Sequence, residues 1–292
     1  MKAYNRYHPL TLFIYFMSII MMTMFINNPI MLGISLCGAL IYYGILSGIR
    51  QVKNTCLFCV SIILILAVTN PFLSYNGDTV LFAVFNTEVS LESVLYGVNT
   101  GIMMSAMITW FLIYSIVVDN EKFIYLFGNI VPRIAMVLSM SFRLIPLYKR
   151  EYVKIKDAQK ALGYYNEGIF NRIKNMLRIF LTLMSWALEN SIDTSMSMKA
   201  RGYGIKGRSH YSRYSFRMTD AIMIIIILIL DFYVLKDIGA GYSDIEFYPV
   251  IRYAASLHET ICMYMCFGVL VCILSIVEIK ENIKWKYYVS RI

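Results

Sequence analysis

Six apolar segments, each close to the length of a membrane span, constrain this chain more than any other feature of its sequence. A transmembrane helix needs about 20 mostly apolar residues, because every backbone polar group in hydrocarbon must be paired within the protein. The segments cover residues 10–26, 29–49, 56–73, 94–118, 221–235 and 257–277. Only 15% of all residues are charged, against about a quarter in soluble domains. We therefore predict an all-α integral membrane protein with about six transmembrane helices.

The first apolar segment follows Lys2 and Arg6, as the core of a secretory signal would. It is long for such a core, and Asn27-Asn28-Pro29 offers no small-residue cleavage site. We expect this segment to be retained as a span.

The distribution of lysine and arginine predicts how the chain is oriented. Cytoplasmic segments carry the excess of basic residues, and residues 119–217 hold 17 of the 27 basic residues against 7 acidic ones. Both terminal segments are basic, whereas the 27–29 turn and the 74–93 loop contain no lysine or arginine. We predict a multi-pass protein of the cell membrane with both termini cytoplasmic. The net charge of +9 then reflects topology, with the lipid bilayer as a sufficient partner and no nucleic acid required.

Three domains follow from this pattern. Residues 1–118 form a membrane domain with four spans, residues 119–218 a cytoplasmic domain of long helices between spans 4 and 5, and residues 219–292 a membrane domain with two spans. In the cytoplasmic domain, Pro132 and Pro146 are expected to kink or interrupt the first helix. Side chains at alternating spacings of three and four form one largely apolar stripe along this first helix: Ile145, Tyr148, Tyr152, Ile155, Gln159 and Leu162.

The second cytoplasmic helix is expected to begin near Gly168 or Ile169. Its apolar residues lie on roughly one face: Ile169, Ile173, Met176, Phe180, Met184, Ala187, Ile192 and Met196.

The two predicted cytoplasmic helices end in similar tripeptides, Ala161-Leu162-Gly163 and Ala200-Arg201-Gly202. A glycine at this position closes a helix in the left-handed conformation, and a cation favours the negative end of the helix dipole. On physical grounds alone, Arg201 is most simply a capping cation. The alternative is that each tip is presented to a partner.

No enzymatic site is evident in the sequence. Phosphate-binding loops and nucleophile motifs are absent, and the three histidines, His8, His210 and His258, are dispersed. Cys56 and Cys59 have CxxC spacing without a second pair, and we interpret them as packed thiols. Asp231 and Glu259 are interpreted as snorkelling or interfacial residues near the ends of their spans rather than catalytic ones. We predict no catalytic activity, no metal site and no cofactor.

Two ordered signatures in residues 132–220 resemble the transmembrane T component of energy-coupling factor (ECF) transporters. The first is Ser141-Phe-Arg-Leu-Ile-Pro146 followed by Ile155-Lys-Asp-Ala-Gln-Lys-Ala-Leu-Gly163. The second is Ser197-Met-Lys-Ala-Arg-Gly-Tyr-Gly204, followed by Arg213-Tyr214 and Asp220.

The resemblance implies a coupling subunit of a vitamin or metal-ion importer. Its partners would be two ABC-type ATPase subunits, in which ATP is hydrolysed, and a substrate-binding membrane S component. The resemblance assigns ATPase binding to Ala200, Arg201, Gly202, Ala161, Leu162 and Gly163, and a structural role in the coupling helices to Arg143, Pro146 and Gln159. Leu162 departs from the family, which usually has arginine there. The last span, residues 257–277, is a second departure from the family.

Two other functions remain open from the sequence. One is the permease domain of another ATP-driven transporter. Such a domain uses a single short coupling helix, and the two long cytoplasmic helices predicted here speak against it. The other is a membrane scaffold without transport activity.

Overall fold

The computed structural model describes residues 3–73, 79–84, 87–128, 131–163, 168–205, 214–240, 245–246, 252–253 and 257–289. Within these ranges the chain forms a short 3-10 helix, Ala3–Arg6, and nine α-helices. The α-helices are α1 Pro9–Phe25, α2 Pro29–Ser47, α3 Ile49–Leu73, α4 Leu91–Val117, α5 Asn120–Gly128, α6 Pro132–Ala161, α7 Ile169–Ala200, α8 Met218–Gly239 and α9 Leu257–Val289. Two small antiparallel hairpins join spans, β1 Val80–Val84 with β2 Thr87–Ser90, and β3 Ile245–Glu246 with β4 Arg252–Tyr253.

Each of the six apolar segments forms a helix, which confirms the all-α membrane fold. Among the described residues, five helices are long and apolar enough to cross a membrane: α2, α3, α4, α8 and α9. Helix α1 is apolar but shorter, at 17 residues. The largest difference from the sequence prediction is α9, which has 33 residues and continues well past residue 277.

The chain divides into two compact units. Unit 1 comprises Met1–Lys122 and Tyr214–Ile292, and unit 2 comprises Phe123–Arg213. Unit 1 contains all six apolar helices and both hairpins, and unit 2 contains α6 and α7.

The core of unit 1 joins helices from the two ends of the chain. The rings of Tyr15 and Phe16 in α1 contact the Trp110 ring of α4 edge-on, and the Trp110 Nε1–H donates to Ser35 Oγ of α2 at 3.0 Å. The Tyr15 hydroxyl donates to the main-chain carbonyls of α9 at Leu270 and Val271, at 3.2 and 3.1 Å. The last helix is therefore part of the core.

Helices α3 and α4 approach closely because α4 carries two glycines one turn apart. A Cβ atom on Gly97 would lie 2.7 Å from the carbonyl oxygen of Leu66, and one on Gly101 would lie 2.8 Å from the Cα of Ile63. Both neighbours are backbone atoms of α3, so no side-chain rotation relieves either contact. The glycines are the small-xxx-small pattern that permits close packing of membrane helices.

One end of unit 1 is held together by polar contacts from the N-terminal segment. The Tyr4 N–H donates to Glu278 Oε2 at 3.3 Å, and the His8 N–H donates to Asp220 Oδ1 at 3.0 Å. Arg6 pairs with Glu281 at 2.7 Å, and the Lys122 ammonium lies over the Tyr4 ring. The N-terminal segment, the start of α8 and the distal part of α9 therefore meet at the end where the chain leaves unit 1.

Asp231 does not lie near a helix end as expected, because α8 continues to Gly239. Its carboxylate accepts a hydrogen bond from Ser18 Oγ of α1 at 2.6 Å. The residue is therefore bonded within the helix bundle, and the prediction of a snorkelling side chain was wrong.

Acidification is expected to destabilise unit 1 through His8. Its Nδ1 accepts the Leu10 N–H at 3.2 Å and so caps α1. Burial lowers the pKa of His8, while the Asp220 carboxylate acts in the opposite direction. As the pH is lowered through about 6.5, the unfolded chain takes up the proton before the folded one. The free energy of unfolding therefore decreases as the pH is lowered.

We expect the thermal unfolding temperature of the detergent-solubilised chain to decrease from about pH 7 to about pH 5. His8→Asn keeps a capping side chain that does not titrate, and should make this decrease smaller. An equal decrease in the wild type and the variant would contradict this role of His8.

Candidate partner-binding site

Helix α6 begins at Pro132, where a missing N–H costs nothing because it lies in the first helical turn. The break expected upstream of this proline is present, since α5 ends at Gly128. Pro146, in contrast, lies inside α6, which continues to Ala161. Proline has no N–H to donate to the Phe142 carbonyl, and α6 continues past this missing hydrogen bond.

The contact between α6 and α7 is made by mixed polar and aromatic side chains. Tyr148 and Trp186 meet edge to face, with 5.7 Å between ring centroids. Gln159 of α6 and Asn175 of α7 are both buried, and Gln159 Oε1 has no hydrogen-bond partner in the described part of the chain. The predicted α6 stripe is only partly used, because Tyr148 and Ile155 are half-buried while Ile145 and Tyr152 are exposed.

Helix α7 leaves its predicted apolar face uncovered in unit 2. The fully buried residues of this helix are Asn175 and Ile179, whereas nearly all of the predicted stripe is exposed. The exposed members are Ile169, Ile173, Met176, Phe180, Met184, Ile192 and Met196, and only Ala187 is half-buried. A long helix that packs through polar residues and exposes apolar ones has a surface suited to a further partner.

A Schellman motif closes the C-terminal tip of α7. Gly202 has φ +80°, its N–H donates to the Lys199 carbonyl at 3.0 Å, and the Tyr203 N–H donates to the Met198 carbonyl at 3.0 Å. These two bonds and the left-handed glycine define the motif. The structure confirms the role predicted for Gly202, and Arg201 is the residue at the helix cap.

The tip of α6 has similar backbone geometry and a different side chain. Gly163 has φ +77° and its N–H donates to the Lys160 carbonyl at 3.1 Å, as the sequence predicted for a helix stop. The preceding Leu162 side chain is 70% exposed. The two tips therefore share a shape but differ in charge.

Arg201 opens onto a cleft of about 430 Å³ between α6 and α7. Arg143 of α6 and Asp193 of α7 also line this cleft. The two arginines and this aspartate form no ion pair within the described residues. The charged side chains of the cleft therefore sum to one net positive charge, with both guanidinium groups available to an acidic ligand.

The two tips lie at opposite ends of an antiparallel helix pair. Arg143 in the first half of α6 lies beside the end of α7, Tyr148 contacts Trp186 further along, and α7 begins only a few residues after the α6 tip. The 32 residues of α7 correspond to about 48 Å of helix. Arg143 and Pro146 thus lie nearer to Ala200, Arg201 and Gly202, while Gln159 lies near Leu162.

Sequence reasoning did not predict that Arg143 and Arg201 line the same cleft. The resemblance assigned Arg143 a structural role in α6, and no spacing within one helix predicts which residue of another helix lies opposite. The unusual polarity of Asn175, Asn190 and Thr194 on α7 was the available signal for the contact face.

Comparison with known families tests the resemblance. The family described as cobalt transport protein, CbiQ, matches residues 3–211. The chain belongs to this family. The match includes α1 to α7 and both helix tips, and it ends before α8. Membership in the CbiQ family is consistent with a membrane subunit of a transporter.

Several relatives are named energy-coupling factor transporter transmembrane protein EcfT. The protein of this name from Lactococcus lactis subsp. cremoris is 28% identical over 168 residues, which are 53% of this chain and 63% of that protein. The one from Listeria innocua is 35% identical over 103 residues, 34% of this chain and 39% of that protein. The one from Streptococcus thermophilus is 33% identical over 100 residues. The aligned segments span less than two thirds of these relatives.

Proposed function

We propose that this protein is the transmembrane coupling subunit of an ECF-type ABC importer. In this role it transmits ATP-driven motion of two ATPase subunits to a separate substrate-binding membrane subunit, for uptake of a vitamin or a metal ion. The observation that carries the proposal is the tip of α7, where Arg201 caps a closed helix end beside Arg143 and has no carboxylate partner among the described residues. Family membership supports the same role.

The tip of α7 is proposed to insert into a groove on one ATPase subunit. A guanidinium group can donate two parallel hydrogen bonds to a carboxylate, and such charge-assisted pairs are stronger than neutral ones. Gly202 and the Schellman motif end the helix sharply, so the arginine is presented at the tip rather than along a flank. The tip of α6, at Ala161, Leu162 and Gly163, would contact the second ATPase without a charged pair, either in an apolar pocket or with a weaker hold.

The exposed apolar face of α7 is proposed to hold the substrate-binding membrane subunit. Its methionines, among them Met176, Met184 and Met196, are flexible side chains that adapt to a moving contact. Rotation or approach of the two ATPases would displace the two tips, and the helix pair would carry that displacement to the bound subunit as a rigid-body motion. Selectivity for the substrate would then reside in the bound subunit.

The membrane orientation is part of the proposal. Residues 119–218 and both termini would face the cytoplasm, where ATP is available, and the basic content of residues 119–217 supports this assignment. The nucleotide chemistry would take place in the ATPases, with no catalytic role or cofactor in this chain.

Affinity purification of the tagged protein from its native membranes tests the proposed function. Mass spectrometry of the purified complex should identify two ABC-type ATPase subunits and a small membrane protein. Recovery of the chain alone would support a scaffold, and recovery with a second permease subunit would support another class of ATP-driven transporter.

Leu162→Arg is expected to retain ATPase binding at the wild-type level or to increase it. The side chain is 70% exposed at the C-terminal end of α6, where a cation interacts favourably with the helix dipole by about 0.3–1 kcal/mol. ATPase recovery per unit of purified protein measures the effect, with Leu162→Glu as the matched variant of opposite charge. A loss of ATPases in Leu162→Arg equal to the loss in Leu162→Glu would show that this tip requires an apolar residue.

A further inference from the structure

Helix α9 is longer than a membrane span. Its 33 residues correspond to about 50 Å at 1.5 Å per residue, whereas the hydrocarbon core is about 30 Å thick. The apolar sequence ends near residue 277, so residues 278–289 continue the helix beyond the hydrocarbon. We call residues 278–289 the α9 extension. It lies outside the residues that match the CbiQ family.

The carboxylates of the α9 extension are already engaged within the chain. Glu278 accepts the Tyr4 N–H, and Glu281 pairs with Arg6. No other acidic residue occurs in the extension. Lys280 and Lys284 are exposed, and neither forms an ion pair within the described residues. Lys286 is a third lysine of the extension, so the extension has three lysines against two glutamates, and the N-terminal segment engages both glutamates.

An apolar stripe accompanies the lysines. Ile279, Ile283 and Tyr287 follow one another at intervals of four residues, and all three side chains are exposed. On a helical wheel, Lys280 and Lys284 border this stripe. An exposed apolar stripe bordered by lysines is typical of a helix at a lipid interface, where lysine ammonium groups extend towards the headgroups. Trp285 and Tyr288, both exposed, are residue types enriched at that depth.

We propose that the α9 extension is a binding site for anionic phospholipid headgroups. The lysine ammonium groups pair with headgroup phosphates, and Ile279, at the start of the stripe, lies nearest to the acyl chains. The negative partner is a lipid because the extension continues directly from a membrane span, so headgroups are the nearest anions. The contacts of Tyr4 and Arg6 hold the extension at the membrane end from which the chain leaves unit 1.

Trp285 provides a probe for this site in the full-length protein. The chain is reconstituted into nanodiscs of phosphatidylcholine containing a fixed fraction of phosphatidylglycerol, with either lipid brominated in turn. The fluorescence difference between the wild type and Trp285→Phe isolates the signal of this tryptophan from Trp110 and Trp186. We expect brominated phosphatidylglycerol to quench Trp285 roughly twofold more than brominated phosphatidylcholine at an equal mole fraction.

Two triple variants test the charge requirement. Replacing Lys280, Lys284 and Lys286 with glutamine should remove the preference for phosphatidylglycerol. The matched control replaces Lys149, Lys156 and Lys174 of unit 2 with glutamine, removes the same charge and should keep the preference.

Equal quenching by the two lipids in the wild type would overturn the proposal. The proposal would also be overturned if neither lipid quenches Trp285 and added ATPases shield it from an aqueous quencher. That result would identify a protein partner for the extension. The comparison of the two lipids does not test the coupling role, because that role depends on α6 and α7.

Discussion

Replacing Arg201 with glutamate is expected to abolish recovery of the ATPase subunits with this protein. The reversal places a carboxylate at the α7 tip where the proposed partner also presents one, and breaking a buried charge pair costs about 3–5 kcal/mol. A loss of this size weakens binding on the order of 10²- to 10⁴-fold. Glutamate also interacts unfavourably with the negative end of the helix dipole, although the Schellman hydrogen bonds are made by the backbone and remain.

The Arg201→Glu experiment needs a control for charge and one for folding. Arg150→Glu makes the same charge change on an exposed residue of α6 that is away from both tips, and should leave ATPase recovery unchanged. The unfolding temperature of the purified chain should be similar in all three proteins, because the Arg201 side chain is exposed. Normal recovery of both ATPases with Arg201→Glu would contradict the proposed role of this tip.

The second large effect is expected from Gly97→Leu combined with Gly101→Leu. Both glycines face the backbone of α3, at Cβ distances of 2.7 and 2.8 Å, so α3 must move away from α4 to admit the new side chains. Overpacking costs about 1–3 kcal/mol at each site, and the two costs are not additive because the sites contact the same helix.

Thermal unfolding of the detergent-solubilised protein measures the Gly97 and Gly101 effect. Gly33→Leu in α2 is the matched control, since no atom lies within 4 Å of a Cβ at that position. We expect a lower unfolding temperature and a lower yield of monodisperse protein for the double variant only. An unfolding temperature equal to that of Gly33→Leu would show that α3 and α4 do not pack through these glycines.

Features determined by local sequence were predictable. Six apolar segments became six helices because span length and backbone pairing are properties of each segment. The ends of α6 and α7 followed from Gly163 and Gly202, since a left-handed residue is a local requirement.

Features that depend on a second helix were not predictable. The spacing of Gly97 and Gly101 is visible in the sequence, but nothing there identifies α3 as the partner. The periodic stripe of α7 predicts one apolar face, whereas the buried residues of this helix include the polar Asn175. The convergence of Arg143 and Arg201 depends on the register of an antiparallel pair, which neither helix specifies alone.

The contacts of α9 have a consequence for the biogenesis of the protein. Tyr15 in the first span donates to the carbonyls of Leu270 and Val271, and Tyr4 donates to Glu278. A ribosome must therefore synthesise nearly the whole chain before the first inserted helix acquires its final neighbours. Until then the part of α1 that packs against α9 lacks its final partner.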